Sequence, residues 1–173
     1  MSVPKVVLVG PSGGGRSSVA AALADRLGLA VRETEDVLEE SQGAAFAQLA
    51  LALDGDDLKE AIGSAAARSL TESAVVTLVP SALEDDAVFE QLRRLGEEGV
   101  PIAAITADLN VLVRRVGLNA PRSAALGQPR KWFREFVAAQ RERYLELGAV
   151  EFDTGRMDAD QVAERIAQRF ALQ

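Results

Sequence analysis

The sequence predicts an α/β fold, a three-layer α/β/α arrangement with a five-stranded parallel sheet and helices on both faces. Three observations carry this. Short, β-branched apolar runs alternate along the chain with longer amphipathic stretches. Such alternation builds a parallel sheet covered on both sides. A glycine-rich segment separates the first apolar run from the first helical stretch. No internal repeat and no Pro-, Gly- or Ser-rich linker divides the chain, so residues 1–173 read as one domain.

The elements follow in order. Lys5–Val9 (KVVLV) is β-branched and ends at Gly10, which marks a buried strand. Ser17–Leu27 is rich in Ala and Leu at helical period, and Gly28 stops it. Leu29–Arg32 is the second strand. Glu35–Ser41, Ala44–Leu53 and Asp56–Ser69 are helical, and Ala74–Val79 (AVVTLV) is the third strand. Glu84–Glu98 is a helix stopped at Gly99, Ile102–Thr106 a strand and Leu109–Val116 a helix. Ala149–Phe152 is the last strand, and Asp158–Phe170 closes the chain as a helix. Leu118–Lys131 (LNAPRSAALGQPRK) breaks the regular pattern. It is small, polar and Pro-punctuated, the composition of a lid or binding loop. Trp132, Phe133 and Phe136 follow at helical spacing and read as core rather than as a base-stacking site.

Composition removes several kinds of chemistry. There is no cysteine and no histidine, so catalysis falls to carboxylates, Lys, Arg or hydroxyls. Net charge is −7 and no basic stripe is visible, which argues against a nucleic-acid partner. No apolar run approaches the roughly 18 residues of a membrane span. The expectation is a cytoplasmic protein with no membrane partner, a monomer or small homo-oligomer. The pairs Arg93-Arg94 and Arg141–Arg143 read as solvated helix faces.

Gly10-Pro11-Ser12-Gly13-Gly14-Gly15-Arg16-Ser17 fits the phosphate-loop pattern G-x-x-x-x-G-K-[ST] except that Arg replaces Lys. Glycines let the backbone curl so that its N–H groups converge on an anion. The following helix adds the positive end of its dipole. Ser17 is placed to ligate Mg²⁺ through its hydroxyl. Arg16 is not a conservative replacement, because a planar fork fills a shaped site differently from a point charge. Phosphoryl transfer depends on such positioning. The bland alternative is a glycine-rich turn without a ligand.

With loop, spacing and lid in view, the chain resembles the shikimate kinase family over Lys5 to Phe170. The resemblance implies a P-loop kinase fold with a lid at about 118–131, and ATP and Mg²⁺ as nucleotide and metal. The family's Asp-Thr-Asp segment, which serves Mg²⁺ and the acceptor hydroxyl, corresponds to Glu33-Thr34-Glu35. Each carboxylate is thus one methylene longer; the segment also reads as an acidic helix start. The resemblance places an arginine near the adenine and a lid arginine seven residues later, where Arg115 and Arg122 stand. The alternative readings are a solvated loop cation for Arg122 and, for Arg115, a helix C-terminal cation opposite the dipole. The acceptor side departs from the family. Leu58-Lys59 stands for a Phe-Arg pair, and Val79-Pro80-Ser81-Ala82 for a strand running into a Gly-Gly-Gly turn. Gln140 stands where the family has an Arg four residues before a Tyr, here Tyr144, with Arg141 one residue further along.

The expected site is therefore explicit. Gly10, Ser12, Gly13, Gly14, Gly15, Arg16, Ser17, Ser18, Arg115 and Arg122 hold nucleotide, and Ser17 and Glu33 hold Mg²⁺. Arg16, Glu35 and Arg122 are the catalytic candidates, and Glu35, Lys59 and Gln140 face the acceptor. The expected function is ATP-dependent phosphotransfer to a small hydroxylated metabolite, weak or redirected from the family's acceptor. Gluconate-type and nucleoside-type kinases share the layout, so the acceptor stays open. An inactive nucleotide- or phosphate-binding protein with a regulatory or partner role is the second reading. A purely structural role is the third.

Overall fold

The computed structural model describes residues 2–118 and 128–173. Five parallel strands form one sheet in the order β2-β3-β1-β4-β5. They are β1 (Val6–Val9), β2 (Val31–Glu33), β3 (Val75–Thr77), β4 (Ile102–Thr106) and β5 (Val150–Asp153). The helices are α1 (Arg16–Leu27), α2 (Thr34–Gln42), α3 (Phe46–Ala52), α4 (Gly55–Ser69), α5 (Asp86–Glu97), α6 (Leu109–Arg115), α7 (Gln128–Glu146) and α8 (Ala159–Arg169).

The period-two geometry of β1 divides the core. Val6 and Leu8 face a cluster built with Leu23 of α1 and Ile166 of α8. Val7 and Val9 face the other cluster, with Leu38, Ile62, Leu92 and Tyr144 from α2, α4, α5 and α7. Both faces of the sheet are therefore covered, as the near-continuous apolar strands require.

Most boundaries agree with the sequence to within one residue, and three regions differ. First, β2 begins at Val31 rather than Leu29, because Gly28 ends α1 in the left-handed conformation and Leu29 N–H still bonds back to Ala24. Second, the expected third strand stops at Thr77, and Pro80–Glu84 forms a 3₁₀ turn with Pro80, Ala82 and Leu83 buried. Third, α7 starts at Gln128, so the last residues of the expected irregular segment are helical. Residues 119–127, with Arg122, lie outside the described residues. Trp132 is a further correction: only Phe133 of the three aromatics is buried, whereas Trp132 is 63% exposed and stacks on Phe136 at 5.2 Å.

Strand order fixes the location of the site. The chain places β3 on one side of β1 and β4 on the other, so the order reverses at β1. In open α/β sheets, ligands bind at the carboxyl ends of the strands beside such a switch point. The segment leaving β1 there is Gly10–Gly15.

Candidate active site

The loop's shape follows from its glycines. Gly10 has φ 145°, and a Cβ there would sit 2.2 Å from the Ile105 carbonyl oxygen. A Cβ on Gly14 would meet the same oxygen at 2.4 Å. These positions accept no side chain, because the loop runs directly against the end of β4. Gly14 N–H closes a turn onto Pro11 O at 3.1 Å. Gly15 then caps α1 with φ 92° and no side-chain cap. By contrast, α4, α5 and α8 are capped by Asp54, Asp85 and Asp158. The first amides of α1 lack an internal acceptor, which suits them to an anion.

A cavity of about 540 Å³ opens over this helix end. Gly13, Gly15, Arg16, Ser17, Ser18 and Arg115 all border it. Gly10 and Gly14 shape the loop without lining the cavity. Ser12 faces a separate, smaller cavity beside Trp132 and Phe133 instead. The remaining wall includes Thr154, Met157 and Asp158, none of them singled out by the sequence.

Thr154 ties the site together. It follows β5, and its Oγ1 lies 2.6 Å from Gly14 O and 3.1 Å from Thr106 O. It accepts a hydrogen bond from Arg115 at 2.8 Å, and Arg115 also donates to Gly13 O at 3.0 Å and Thr154 O at 2.9 Å. Arg115 and Thr154 thus hold two loop carbonyls on the outside of the curl, which leaves the amides facing inward. The position of Thr154 just after a strand's carboxyl end is the one signal that could have found it.

Ser17 Oγ donates to Glu33 Oε2 at 3.3 Å, so the end of β2 meets the start of α1. A hydroxyl and a carboxylate suit Mg²⁺, which takes few protein ligands and keeps waters and phosphate oxygens. Among the described residues no cluster of three or more His, Cys, Asp or Glu could hold a metal alone. Glu35 lies in the first turn of α2, half-buried. Burial pushes its carboxyl above the usual range, against the lowering effects of its own backbone hydrogen bond and of Arg16.

The guanidinium of Arg16, expected at the phosphates, donates instead to the carbonyl of Leu78. Burial lowers its proton affinity, and the charges of Glu35 and Glu33 and the phenol of Tyr144 oppose that. Leu78, Glu35 and Tyr144 do not line the cavity over α1, although Arg16 itself borders it.

Of the acceptor candidates, Lys59 is exposed on α4 and lines neither the cavity over α1 nor the one beside Tyr144. Gln140 is buried on α7. Arg141 is engaged elsewhere, in a two-point pair with Glu151 at 2.7 and 2.9 Å. Arg143 stacks over the Phe89 ring at 4.3 Å.

The family model for shikimate kinase matches residues 12–171. The chain belongs to the shikimate kinase family. It is 31% identical over 172 residues to the shikimate kinase of Streptomyces avermitilis, spanning 99% of this chain and 98% of that one. The enzyme of Streptomyces coelicolor is 32% identical over 169 residues, with 95% and 94% covered. In three dimensions the shikimate kinase of Acinetobacter baumannii, solved in complex with shikimate, superposes with a TM-score of 0.80 at 18% identity. It covers 99% of this chain and 94% of that chain. A gluconokinase from Sinorhizobium meliloti shares the fold at a TM-score of 0.56 and 21% identity, covering 99% and 94%. Membership of the shikimate kinase family supports an ATP-dependent kinase of that type. No helix among the described residues is long and apolar enough to cross a membrane.

Proposed function

We propose that this chain, as one domain, transfers the γ-phosphoryl group of ATP to a hydroxyl of a small metabolite, with an acceptor redirected from the family's own. The observation that carries the reading is the uncapped, glycine-bound start of α1 beneath its cavity, with the Ser17–Glu33 pair beside it.

The roles follow from chemistry. The amides of Gly13–Ser17 receive the phosphates. Ser17 and Glu33 hold Mg²⁺, which when bound neutralises phosphate charge. Arg115 braces the loop. Glu35 receives the proton of the acceptor hydroxyl as that oxygen bonds to the γ-phosphorus. The bond from that phosphorus to the β–γ bridging oxygen breaks, and ADP leaves. A carboxyl raised by burial is a stronger base, which suits this role.

Redirection is supported by the 3₁₀ turn at Pro80–Glu84, by Gln140, and by the exposure of Lys59. Weakened transfer is supported by the Arg16–Leu78 bond. A coupled ADP-release assay with shikimate and a polyol panel tests the reading. Turnover with a non-family acceptor is expected; no turnover with any acceptor at high enzyme concentration overturns it. The reading of an inactive nucleotide-binding protein rests on Arg16 together with the missing glycines at Val79–Ala82, and nucleotide binding without turnover would favour it.

A further inference from the structure

We propose that Arg32 is a positioning residue for phosphoryl transfer: by clamping the far end of α2 to β2, it holds Glu35 where the acceptor hydroxyl reacts. The inference rests on the kinase reading, which makes Glu35 the proton acceptor.

Charge explains why α2 needs a clamp. The helix carries Glu35, Asp36, Glu39 and Glu40 and has no basic residue in its last turn. Carboxylates at a helix C-terminus face the negative end of the dipole, which is unfavourable. Its N-cap, Glu33, makes no side-chain capping bond. The helix has nine residues, of which Thr34, Val37 and Leu38 are buried, so its own stability is small. Arg32 supplies the missing cation from the neighbouring strand. Its Nη1 and Nη2 donate to the two carboxylate oxygens of Glu40 at 2.9 and 3.0 Å, a forked grip on the last turn. Its Nε forms an ion pair at 2.9 Å with Oε2 of Glu72, in the turn between α4 and β3. The hydrogen bond from Arg32 holds the Glu40 carboxyl below the usual range, and the charge of Arg68 adds to it. Isolated exposed pairs contribute little, but a forked pair extended into a network is the exception. Arg32 is the sheltered member of this one, 21% exposed against 55% and 40% for Glu40 and Glu72.

The clamp acts through a pivot. Thr34 is buried at the first position of α2, and its Oγ1 donates to Thr77 O at 3.0 Å. That bond pins the start of the helix to the end of β3, and Arg32 pins the other end. Glu35 directly follows the pivot, so a swing of α2 about Thr34 turns its side chain out of place. Misplacing a reacting group by about an ångström costs up to about a hundredfold in rate. Glu33 precedes the pivot and stays paired with Thr77 on the sheet. The phosphate loop is also outside the lever, because Arg115 and Thr154 brace it from the other side of the sheet. Loss of the clamp is therefore expected to slow transfer and leave nucleotide binding as it is.

The test compares Arg32→Gln, Arg32→Lys and Glu40→Gln with the unaltered protein. Steady-state ADP release is followed with the member of the shikimate and polyol panel that gives turnover. Arg32→Gln and Glu40→Gln are each expected to lower kcat about tenfold, with KM for ATP within about twofold. Arg32→Lys keeps the charge and loses the fork, so it is expected to recover part of the loss. The double variant Arg32→Gln/Glu40→Gln is expected to fall no further than either single change, because both remove one interaction. Hydrogen exchange is expected to quicken in α2 and to stay unchanged in α1. Glu40 is exposed, so Glu40→Gln keeps the test readable if an Arg32 variant folds poorly. An unchanged kcat in Glu40→Gln, a kcat loss matched by a rise in KM for ATP, or full additivity in the double variant overturns this inference alone. No turnover by the unaltered protein with any acceptor overturns the kinase reading, and this inference with it.

Discussion

The guanidinium of Arg16 donates to the backbone carbonyl of Leu78, so the cation of the phosphate loop is anchored at the end of β3. A Lys ammonium lacks the planar fork and carries a compact charge to the β/γ-phosphates. Arg16→Lys is therefore expected to raise kcat about tenfold or more, equivalent to about 1.4 kcal/mol of transition-state stabilisation. Steady-state ADP release with the preferred acceptor checks this. An unchanged or lower kcat would show that Arg16 is already the effective phosphate ligand.

Gly14→Ala places a Cβ 2.4 Å from Ile105 O and 3.0 Å from Pro11 O, both backbone atoms with little room to move. We expect about 1–3 kcal/mol of destabilisation in urea, and loss of nucleotide binding. Gly55→Ala is the matched control. A Cβ at that position would have nothing within 4 Å, and the residue opens α4. That change should be neutral or stabilise by up to about 1 kcal/mol through the unfolded chain.

Thr154→Val keeps the shape and removes the hydroxyl shared by Arg115, Gly14 and Thr106. The cost expected is about 1–3 kcal/mol of stability, since buried polar atoms lose a partner. ADP affinity should fall about tenfold as the loop carbonyls are released. Calorimetry and urea melts on the same sample separate the two effects.

Glu35 has the opposite sign from a salt-bridged carboxylate. Its folded-state proton affinity is raised, chiefly by burial. Its contribution to stability is thus fully present below the unfolded-state pKa and is lost as pH rises through the higher folded value. Glu35→Gln should therefore raise Tm near pH 7, with the gain shrinking toward pH 4. The same variant should lose most of its turnover, because the proton acceptor is gone. A Tm gain that grows as pH falls would contradict the assignment.

Much of the fold and of the phosphate loop was legible in the sequence. Strands such as Ile102–Thr106 are buried, β-branched and bounded by turns, so local pattern and tertiary role agree. The loop's glycines announce themselves because no other residue tolerates contact with Ile105 O. What pattern could not show was direction. Arg16 occupies the expected position, but its long side chain reaches Leu78, and only packing decides that. Thr154 is one polar residue after a short strand, and its importance comes from three chain-distant carbonyl and guanidinium partners. The 3₁₀ turn at Pro80 was hidden because an apolar run ending in Leu78-Val79 reads as strand up to the proline. Lys59 aligns with a family arginine, yet it faces solvent.

The most direct measurement is a calorimetric titration of ADP into the protein, with and without Mg²⁺, paired with thermal melts. If the amides at the start of α1 bind phosphate, ADP will saturate one site and Mg²⁺ will tighten it. At about one hundred times Kd the folded state will then gain about 2.7 kcal/mol. No heat and no shift in Tm at millimolar ADP would contradict the account.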